Sequence, residues 1–201
     1  MQTIIALGFT AFTAGCVAIG PTPSALVVAA RPAPTKMTNA FEDELPELQA
    51  PRLVVTKRER KLEVFDGDKL VKRYRISLGF APIGDKEREG DGKTPEGEFY
   101  IFTRNPKSQF YLSLGISYPG IEDAERGLSN GIISQSEHDA IFEAVKNKKM
   151  PPQRTALGGL IYLHGGGTGK DWTYGCAALA DEDIRQLFNA IPVGTPVTIL
   201  P

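Results

Sequence analysis

Short apolar runs alternate with charged turns in the first hundred or so residues of the predicted domain, in a pattern typical of β-strands. Apolar residues recur at every second position in residues 53–55, 61–65 and 74–78, which places them on one face of an extended chain. Residues 66–68 (DGD) supply a tight turn between the second and third runs. We therefore predict an antiparallel meander of three strands.

The same alternation predicts further strands beyond a charged, glycine-bearing loop at residues 84–93. Residues 94–102 form a turn that enters a strand, and other strands are expected near residues 111–117 and 159–163. A last strand at residues 196–200 closes the predicted domain.

Two segments instead show the helical spacing of apolar residues. Ser136 is placed to cap a helix that runs to about Lys146, and Asp181 to cap a helix that Pro192 ends. The residues expected to face inward are Ile141, Phe142 and Val145 in the first helix and Ile184, Leu187, Phe188 and Ile191 in the second. No internal repeat is visible, and the pattern predicts a mostly β fold of the α+β class with a few helices.

The N-terminal fifty residues differ in composition from the rest. Residues 1–18 are apolar and contain no acidic residue, as in a signal peptide, or in a lipoprotein signal in which Cys16 becomes the lipidated first residue. A short membrane anchor or a buried helix is the alternative, although the apolar core is short for a bilayer span. Residues 19–51 are rich in Pro, Ala and Thr and then in acidic residues, as in a disordered tether.

These patterns predict a single folded domain over residues 52–201. We expect it to be exported to the periplasm or cell envelope, with a lipid anchor at Cys16 or another membrane tether through the N-terminus left open. The 23 Lys and Arg residues nearly balance the 24 Asp and Glu residues and are interspersed with them. No nucleic-acid-binding surface is therefore expected.

The chain has only two Cys, Cys16 and Cys176, and two His, His138 and His164. If the N-terminal segment is removed or lipidated, Cys176 has no partner for an internal disulfide. An unpaired Cys in an exported protein favours a reactive thiol over a structural one.

His164 and Cys176 stand on either side of a glycine-rich loop that begins with Gly165. A free thiol has a pKa of about 8.5, so it is a poor nucleophile at neutral pH unless a nearby imidazole takes its proton. Gly175 removes side-chain bulk beside the thiol, and the amides of Gly175 and Cys176 are candidates for stabilising an oxyanion. The pattern predicts acyl transfer through a thioester, which needs no cofactor.

Either residue alone is more often structural, because a lone Cys is commonly a small buried residue and a lone His a satisfied polar group. Their coincidence in one glycine-rich segment favours catalysis. A metal site is not expected, since His164 and Cys176 with His138 on a predicted exposed helix do not supply zinc-ligand spacing.

Several short motifs together resemble the L,D-transpeptidase catalytic domain family of the YkuD type. The motifs are His164–Gly165, residues 173–176 (TYGC), residues 92–97 (GKTPEG) and residues 194–197 (GTPV), while residues 116–119 (ISYP) and 171–173 (DWT) are similar to the YafK-type branch. The resemblance covers about residues 52–201.

The resemblance implies a β-sandwich of two packed sheets whose Cys and His open onto a groove for a peptidoglycan stem peptide. It makes Cys176 the nucleophile that attacks the carbonyl of the third, L-centre residue, and His164 the general base and then acid. Thr173 takes the hydroxyl position of the family, and the Gly165 carbonyl orients the imidazole.

Aromatic residues near the motif are candidates for substrate binding. Tyr118 and Trp172, with Tyr111, are placed to line the groove, and the alternative is that they belong to the core. Two departures from the family pattern stand out. Ala177 follows the Cys where an Ile or Val is usual, although Ala178 after it suits the YafK-type branch. Residues 131–155 form a helix-bearing insertion that is either a lid or a decorated loop.

Four functions remain open at this stage. The first is an L,D-transpeptidase, and the second is a carboxypeptidase or amidase of the same fold in which water resolves the thioester. The third is a non-catalytic cell-wall-binding domain, and the fourth is a cysteine protease of general specificity. The intact Cys/His pair argues against the third.

Overall fold

The computed structural model describes residues 44–201, so the predictions for the signal segment 1–18, including Cys16, and for most of the tether lie outside the described residues. The described part contains eight strands and three helices. They are β1 (Pro51–Thr56), β2 (Lys61–Asp66), β3 (Lys69–Arg75), β4 (Gly97–Ser108), β5 (Tyr111–Ile116), α1 (Ile121–Ser129), α2 (Gln135–Lys146), β6 (Tyr162–His164), β7 (Ala177–Ala178), α3 (Asp181–Ala190) and β8 (Pro196–Leu200).

The strands form one curled sheet in the order β3-β2-β1-β8-β4-β5-β6-β7. The predicted antiparallel meander is confirmed, but the position of its third strand was wrong. Strand β3 is Lys69–Arg75 and not residues 74–78, because it starts directly after the turn at residues 66–68. The long strand β4 joins the two parts of the sheet, because its first residues pair with β8 and the remainder pairs with β5. The two packed sheets expected from the resemblance are thus two parts of one continuous sheet.

The two end strands of this sheet approach each other. Ser77, just beyond β3, bridges Ala178 in β7, with Ser77 N donating to Ala178 O and Ala178 N donating to Ser77 O, both at 2.8 Å. We call this pair of hydrogen bonds the Ser77–Ala178 seam. Side chains of β1 and β8 alternate between buried and less buried positions, and α3 packs over β5 and β6. The main core lies among these elements and includes Leu53, Leu62, Leu114, Ile184 and Leu187, all fully buried.

The predicted cap of α2 at Ser136 is wrong, and the cap is Ser134. Its hydroxyl accepts from the amide of Glu137, whose carboxylate accepts in return from the Ser134 amide. The reason is spacing: this reciprocal pair needs a Glu three residues after the cap, and Ser134 has one.

The predicted cap of α3 at Asp181 is also wrong, because the helix begins at that residue and Ala180 precedes it. The Asp181 carboxylate accepts instead from the amide of Gly166, at 2.8 Å. The negative charge of Asp181 in the first turn still stabilises α3, because it interacts favourably with the helix dipole.

Helix α1 was not predicted. It packs against α2, and the two helices share a small second core made of Ala124, Ile133, Ile141 and Leu157. Gly127 of α1 fits closely here, because a Cβ on it would lie 2.8 Å from Leu157 Cδ2. The predicted insertion 131–155 therefore packs against the rest of the domain through the contact between α2 and α1.

The end of the predicted tether contacts the domain within the described residues. Leu45 and Leu48 pack against the main core, and the amides of Gln49 and Ala50 donate to Asp66 Oδ1 at 2.9 and 2.6 Å. No helix in residues 44–201 combines the length and apolar character that a membrane span requires.

Candidate active site

His164 lies at the end of β6, between β5 and β7 in the sheet. Its side chain is 3% exposed, and Nδ1 lies 2.6 Å from the carbonyl oxygen of Gly165. Because a carbonyl can only accept, Nδ1 carries the proton and donates. In the neutral imidazole, Nε2 is therefore the unprotonated nitrogen.

Two aromatic rings enclose the imidazole. Phe110 stacks on it at 4.5 Å between ring centroids, and Trp172 meets it edge-on at 5.6 Å. Burial lowers the pKa of His164, against the opposing effect of the Gly165 carbonyl. The imidazole is thus held neutral near pH 7, as a general base requires.

The glycine-rich loop after His164 is fixed by backbone contacts. Gly165 N donates to Phe110 O at 3.0 Å, and Gly167 N donates to Leu179 O at 2.8 Å. A Cβ on Gly165 would lie 2.5 Å from the same Asp181 oxygen that accepts from Gly166. Only a residue without a side chain lets the loop pass this close, so the Gly165 carbonyl stays aligned with the imidazole.

Cys176 follows a tight turn that the Thr173 hydroxyl organises. Thr173 Oγ1 donates to Cys176 O at 2.7 Å and accepts from Gly175 N at 3.2 Å. Gly175 has φ +130°, and a Cβ there would lie 2.7 Å from Lys93 O. Of the two amides considered for the oxyanion, that of Gly175 already donates within the turn, which leaves the amide of Cys176 as the better candidate.

The Cys176 side chain is partly buried, and its Sγ donates to the carbonyl of Leu160 at 3.4 Å. Burial raises the pKa of the Cys176 thiol to about 11, although a hydrogen bond from the Tyr162 backbone and the positive charge of Lys86 lower it. The thiol is therefore protonated near pH 7, and it needs a base at the moment of attack.

Cys176 and Leu160 lie where two clefts meet. The first, of about 410 Å³, also contains His164, and we call it the His164 cleft. The second, of about 450 Å³, contains Arg154, and we call it the Arg154 cleft. The other residues that line the His164 cleft are Asn105, Lys107, Ser108, Gln109, Phe110, Ser113 and Tyr162, and those that line the Arg154 cleft are Glu89, Gln153, Thr155, Gly159, Ile161 and Tyr174.

The structure does not bring all the predicted aromatic residues to this site. Tyr118 is fully buried and its hydroxyl donates to Leu157 O at 3.0 Å, so it packs in the core, away from both clefts. Tyr111 is about half exposed but lines neither cleft. Trp172 does lie at the site, where its ring packs edge-on against the imidazole of His164. Its Nε1 donates to Gly167 O at 3.3 Å.

Three residues that shape the site were not predicted. Phe110 stacks on His164 from the β4–β5 connection, and Asp181 was assigned only to a helix cap. Asp171 pairs with Arg60 at 2.6 Å and accepts from Leu78 N at 2.9 Å, which ties the loop before Cys176 to the sheet. The sequence offered Asp171 only as part of the similarity at residues 171–173, with no role attached, and Asp181 only as a helix cap.

Of the insertion 131–155, only the last residues reach the site. Gln153, Arg154 and Thr155 line the Arg154 cleft, whereas α2 packs on α1. Among residues 44–201, no three or more His, Cys, Asp or Glu side chains are grouped to hold a metal ion.

Residues 50–199 match a family model described as the L,D-transpeptidase catalytic domain, YkuD. A curated relative from Escherichia coli (strain K12), named "Putative L,D-transpeptidase YafK", is 34% identical over 80 residues, which is 36% of this chain and 32% of the relative. The chain thus aligns with about a third of that relative's length.

Solved structures with a similar fold include the helical cell shape determining protein Pgp2 from Campylobacter jejuni. It has a TM-score of 0.52 and 20% identity over 78% of this chain and 51% of that chain. A K307A mutant of the same protein gives a TM-score of 0.51 and 22% identity, over 78% and 49%. These structures support the fold alone.

Proposed function

The chain belongs to the L,D-transpeptidase catalytic domain family, and from that premise we propose that it modifies peptidoglycan stem peptides through a thioester on Cys176. The observation that carries this proposal is the His164 cleft, in which a thiol and a neutral, buried imidazole face one space. Family membership supports the substrate class, and the geometry supports the chemistry.

In the first half of the reaction, Sγ of Cys176 attacks the carbonyl carbon of the third, L-centre residue while Nε2 of His164 takes the thiol proton. The amide of Cys176 is placed to stabilise the oxyanion. As the intermediate collapses, the imidazolium gives its proton to the departing amine and the C–N bond breaks. The product is a thioester on Cys176.

In the second half, His164 takes a proton from an incoming amine while the nitrogen attacks the thioester. The C–S bond then breaks, the sulfur is reprotonated by the imidazolium, and a new amide is released. If water takes the place of the amine, the same steps give a carboxypeptidase or an amidase. Both outcomes use one intermediate, and transpeptidation is the reaction we propose.

We also propose that the domain lies outside the cytoplasm, in the periplasm or cell envelope. Its support is the signal-like composition of residues 1–18 and the substrate class. Tethering to the membrane through the N-terminus, by Cys16 or otherwise, belongs to the same proposal.

The first test is intact-protein mass spectrometry after exposure to a carbapenem. We expect an adduct on the wild type and on Cys16→Ala, and none on Cys176→Ala. Purified muropeptides then separate the two reactions, because crosslinked dimers indicate transpeptidation and trimmed monomers indicate hydrolysis. If Cys176→Ala still turns over muropeptides, the thioester mechanism is wrong, and if the wild type only binds sacculi, the domain is a binding module.

A further inference from the structure

The wall of the His164 cleft carries a hydroxyl group that the steps proposed above do not use. Ser113, in strand β5, is 3% exposed, yet its side chain lines this cleft together with His164 and Cys176. Within residues 44–201, its hydroxyl makes no hydrogen bond with another residue. A hydroxyl buried to this degree usually has a partner, because its loss of hydration is otherwise uncompensated. A molecule bound in the cleft can supply that partner.

The sheet places this hydroxyl beside the imidazole. Strands β5 and β6 are antiparallel, and Ser113 lies directly opposite His164 in their register. Side chains of such a pair point to the same face of the sheet, with their Cβ atoms about 5 Å apart. On the other face, the neighbouring pair Leu114 and Leu163 is fully buried in the main core. Ser113 and His164 therefore point together into the cleft.

Two other polar side chains that line the cleft already accept hydrogen bonds within the hairpin of β4 and β5. Asn105 Oδ1 accepts from Lys107 N at 2.9 Å, and Ser108 Oγ accepts from Phe110 N at 3.1 Å. These bonds stabilise the hairpin itself. Ser113 makes no such bond among the described residues, so its oxygen is available as an acceptor to a bound molecule.

The nitrogen of the scissile amide needs an acceptor at this position. When Nε2 of His164 gives this nitrogen a proton, the nitrogen lone pair must point at the imidazole. The hydrogen that the nitrogen already carries then points away from Nε2. Inside the cleft, that N–H group loses its hydrogen bond to water unless the protein accepts it. A hydroxyl next to the imidazole is suitably placed to do so.

We infer that Ser113 is a third catalytic residue, whose Oγ accepts a hydrogen bond from the scissile amide nitrogen. This inference rests on the proposed function. As the C–N bond breaks, the nitrogen keeps its hydrogen bonded to Ser113, and the proton from His164 completes the departing amine. In the second half, a primary amine gives one hydrogen to His164 and donates the other to Ser113, which directs its lone pair at the thioester.

The test compares two stem peptides that differ only in the scissile bond. One has an amide after the third residue, and the other has an ester, in which an oxygen without hydrogen replaces the N–H group. Thioester formation on Cys176 is followed by intact-protein mass spectrometry, and the amide rate is divided by the ester rate. We expect Ser113→Ala to lower this ratio about tenfold relative to the wild type, because only the amide donates to Ser113.

Ser108→Ala is the matched control, since Ser108 lines the same cleft but its hydroxyl already accepts from Phe110 N. Its ratio should stay within about twofold of the wild type, even where both rates change. An unchanged ratio in Ser113→Ala, or an equal fall in Ser108→Ala, would overturn the inference and leave the thioester mechanism intact. If the amide does not acylate Cys176 in the wild type, the proposed function is overturned instead.

Discussion

The imidazole of His164 combines a donating Nδ1 with a buried ring, and this pairing sets how the site responds to pH. Burial disfavours the charged form and lowers the pKa of His164 below its ordinary value of 6.5. The base is active when neutral, which is the state above its pKa. Activity should therefore be lost on acidification with a midpoint below pH 6.5.

We expect the midpoint of this limb in kcat/KM for thioester formation to lie below pH 6.5, as measured on a stem peptide between about pH 4.5 and 8. Phe110→Ala removes the ring stacked on the imidazole and admits water. In that variant the midpoint should move up toward 6.5. A wild-type midpoint above 6.5 would contradict the neutral, buried base.

Gly175 is the residue at which a single methyl group should most directly disturb the nucleophile. An Ala there combines the left-handed φ of +130° with a contact of 2.7 Å to Lys93 O, so the turn beside Cys176 has to move. We expect Gly175→Ala to lower kcat/KM about a hundredfold, the loss typical of a misplaced reacting group.

Gly194→Ala is the control for backbone strain. Gly194 has φ +92°, and a Cβ there would meet no atom within 4 Å, so the substitution adds strain without a collision. It should lower the free energy of unfolding through backbone strain alone and leave kcat/KM within about twofold of the wild type. Equal losses of activity in the two variants would show that the collision with Lys93 O is unimportant.

At the scale of elements, the start of α3 connects a helix to the catalytic loop. Asp181 lies in the first turn of α3 and accepts from Gly166 N at 2.8 Å. Asp181→Ala removes the acceptor and should lower the free energy of unfolding by about 1 kcal/mol. We also expect thioester formation to slow by about tenfold, because the Gly165 carbonyl is then less well held.

Asp181→Asn keeps an acceptor oxygen and removes only the charge. It should retain most of the activity, with both variants followed by urea unfolding and by the rate of thioester formation. If Asp181→Ala loses stability but no activity, Asp181 only supports the helix.

The elements also differ in how far the sequence predicts them. Strands β1 and β2 can be predicted because the alternation of apolar residues lies within their own short segments. Helix α1 cannot, since its buried residues are Asp123, Ala124 and Gly127, and their burial depends on α2 and on Leu157, which lie further along the chain.

The residues of the candidate site likewise fall into those that the sequence predicts and those that it does not. Cys176, His164, Thr173 and the neighbouring glycines stand within one short segment, and their chemistry is local enough to predict. Phe110 reaches His164 only through the pairing of β5 with β6, and Arg154 and Glu89 share a cleft only after the loops fold together. Such contacts have no local pattern in the sequence.

At the scale of the whole molecule, a partly buried ion pair links the end of β1 to the loop that supports the Cys176 turn. Lys57 Nζ contacts Glu96 Oε1 at 2.8 Å and donates to the carbonyls of Gly84 and Thr94 at 2.6 and 2.8 Å. The lysine side chain is 3% exposed. This one ammonium therefore holds both ends of the loop that contains Lys93.

We expect Lys57→Met to lower the free energy of unfolding by about 3 kcal/mol, because it leaves three acceptors without their donor. Urea unfolding measures the change. Lys69→Met, at an exposed position in β3, should change it by less than about 0.5 kcal/mol. A loss below 1 kcal/mol for Lys57→Met would show that the ammonium is not essential to the loop.

The Ser77–Ala178 seam joins the two ends of the sheet only two residues from the nucleophile. Its two amides donate across the seam at 2.8 Å, and they can exchange their hydrogens with deuterated solvent only when the seam opens. Their exchange rates thus measure, in the absence of any substrate, the free energy of opening the backbone beside Cys176. Slow exchange at both amides would mean that the nucleophile is kept in position by the closure of the whole sheet.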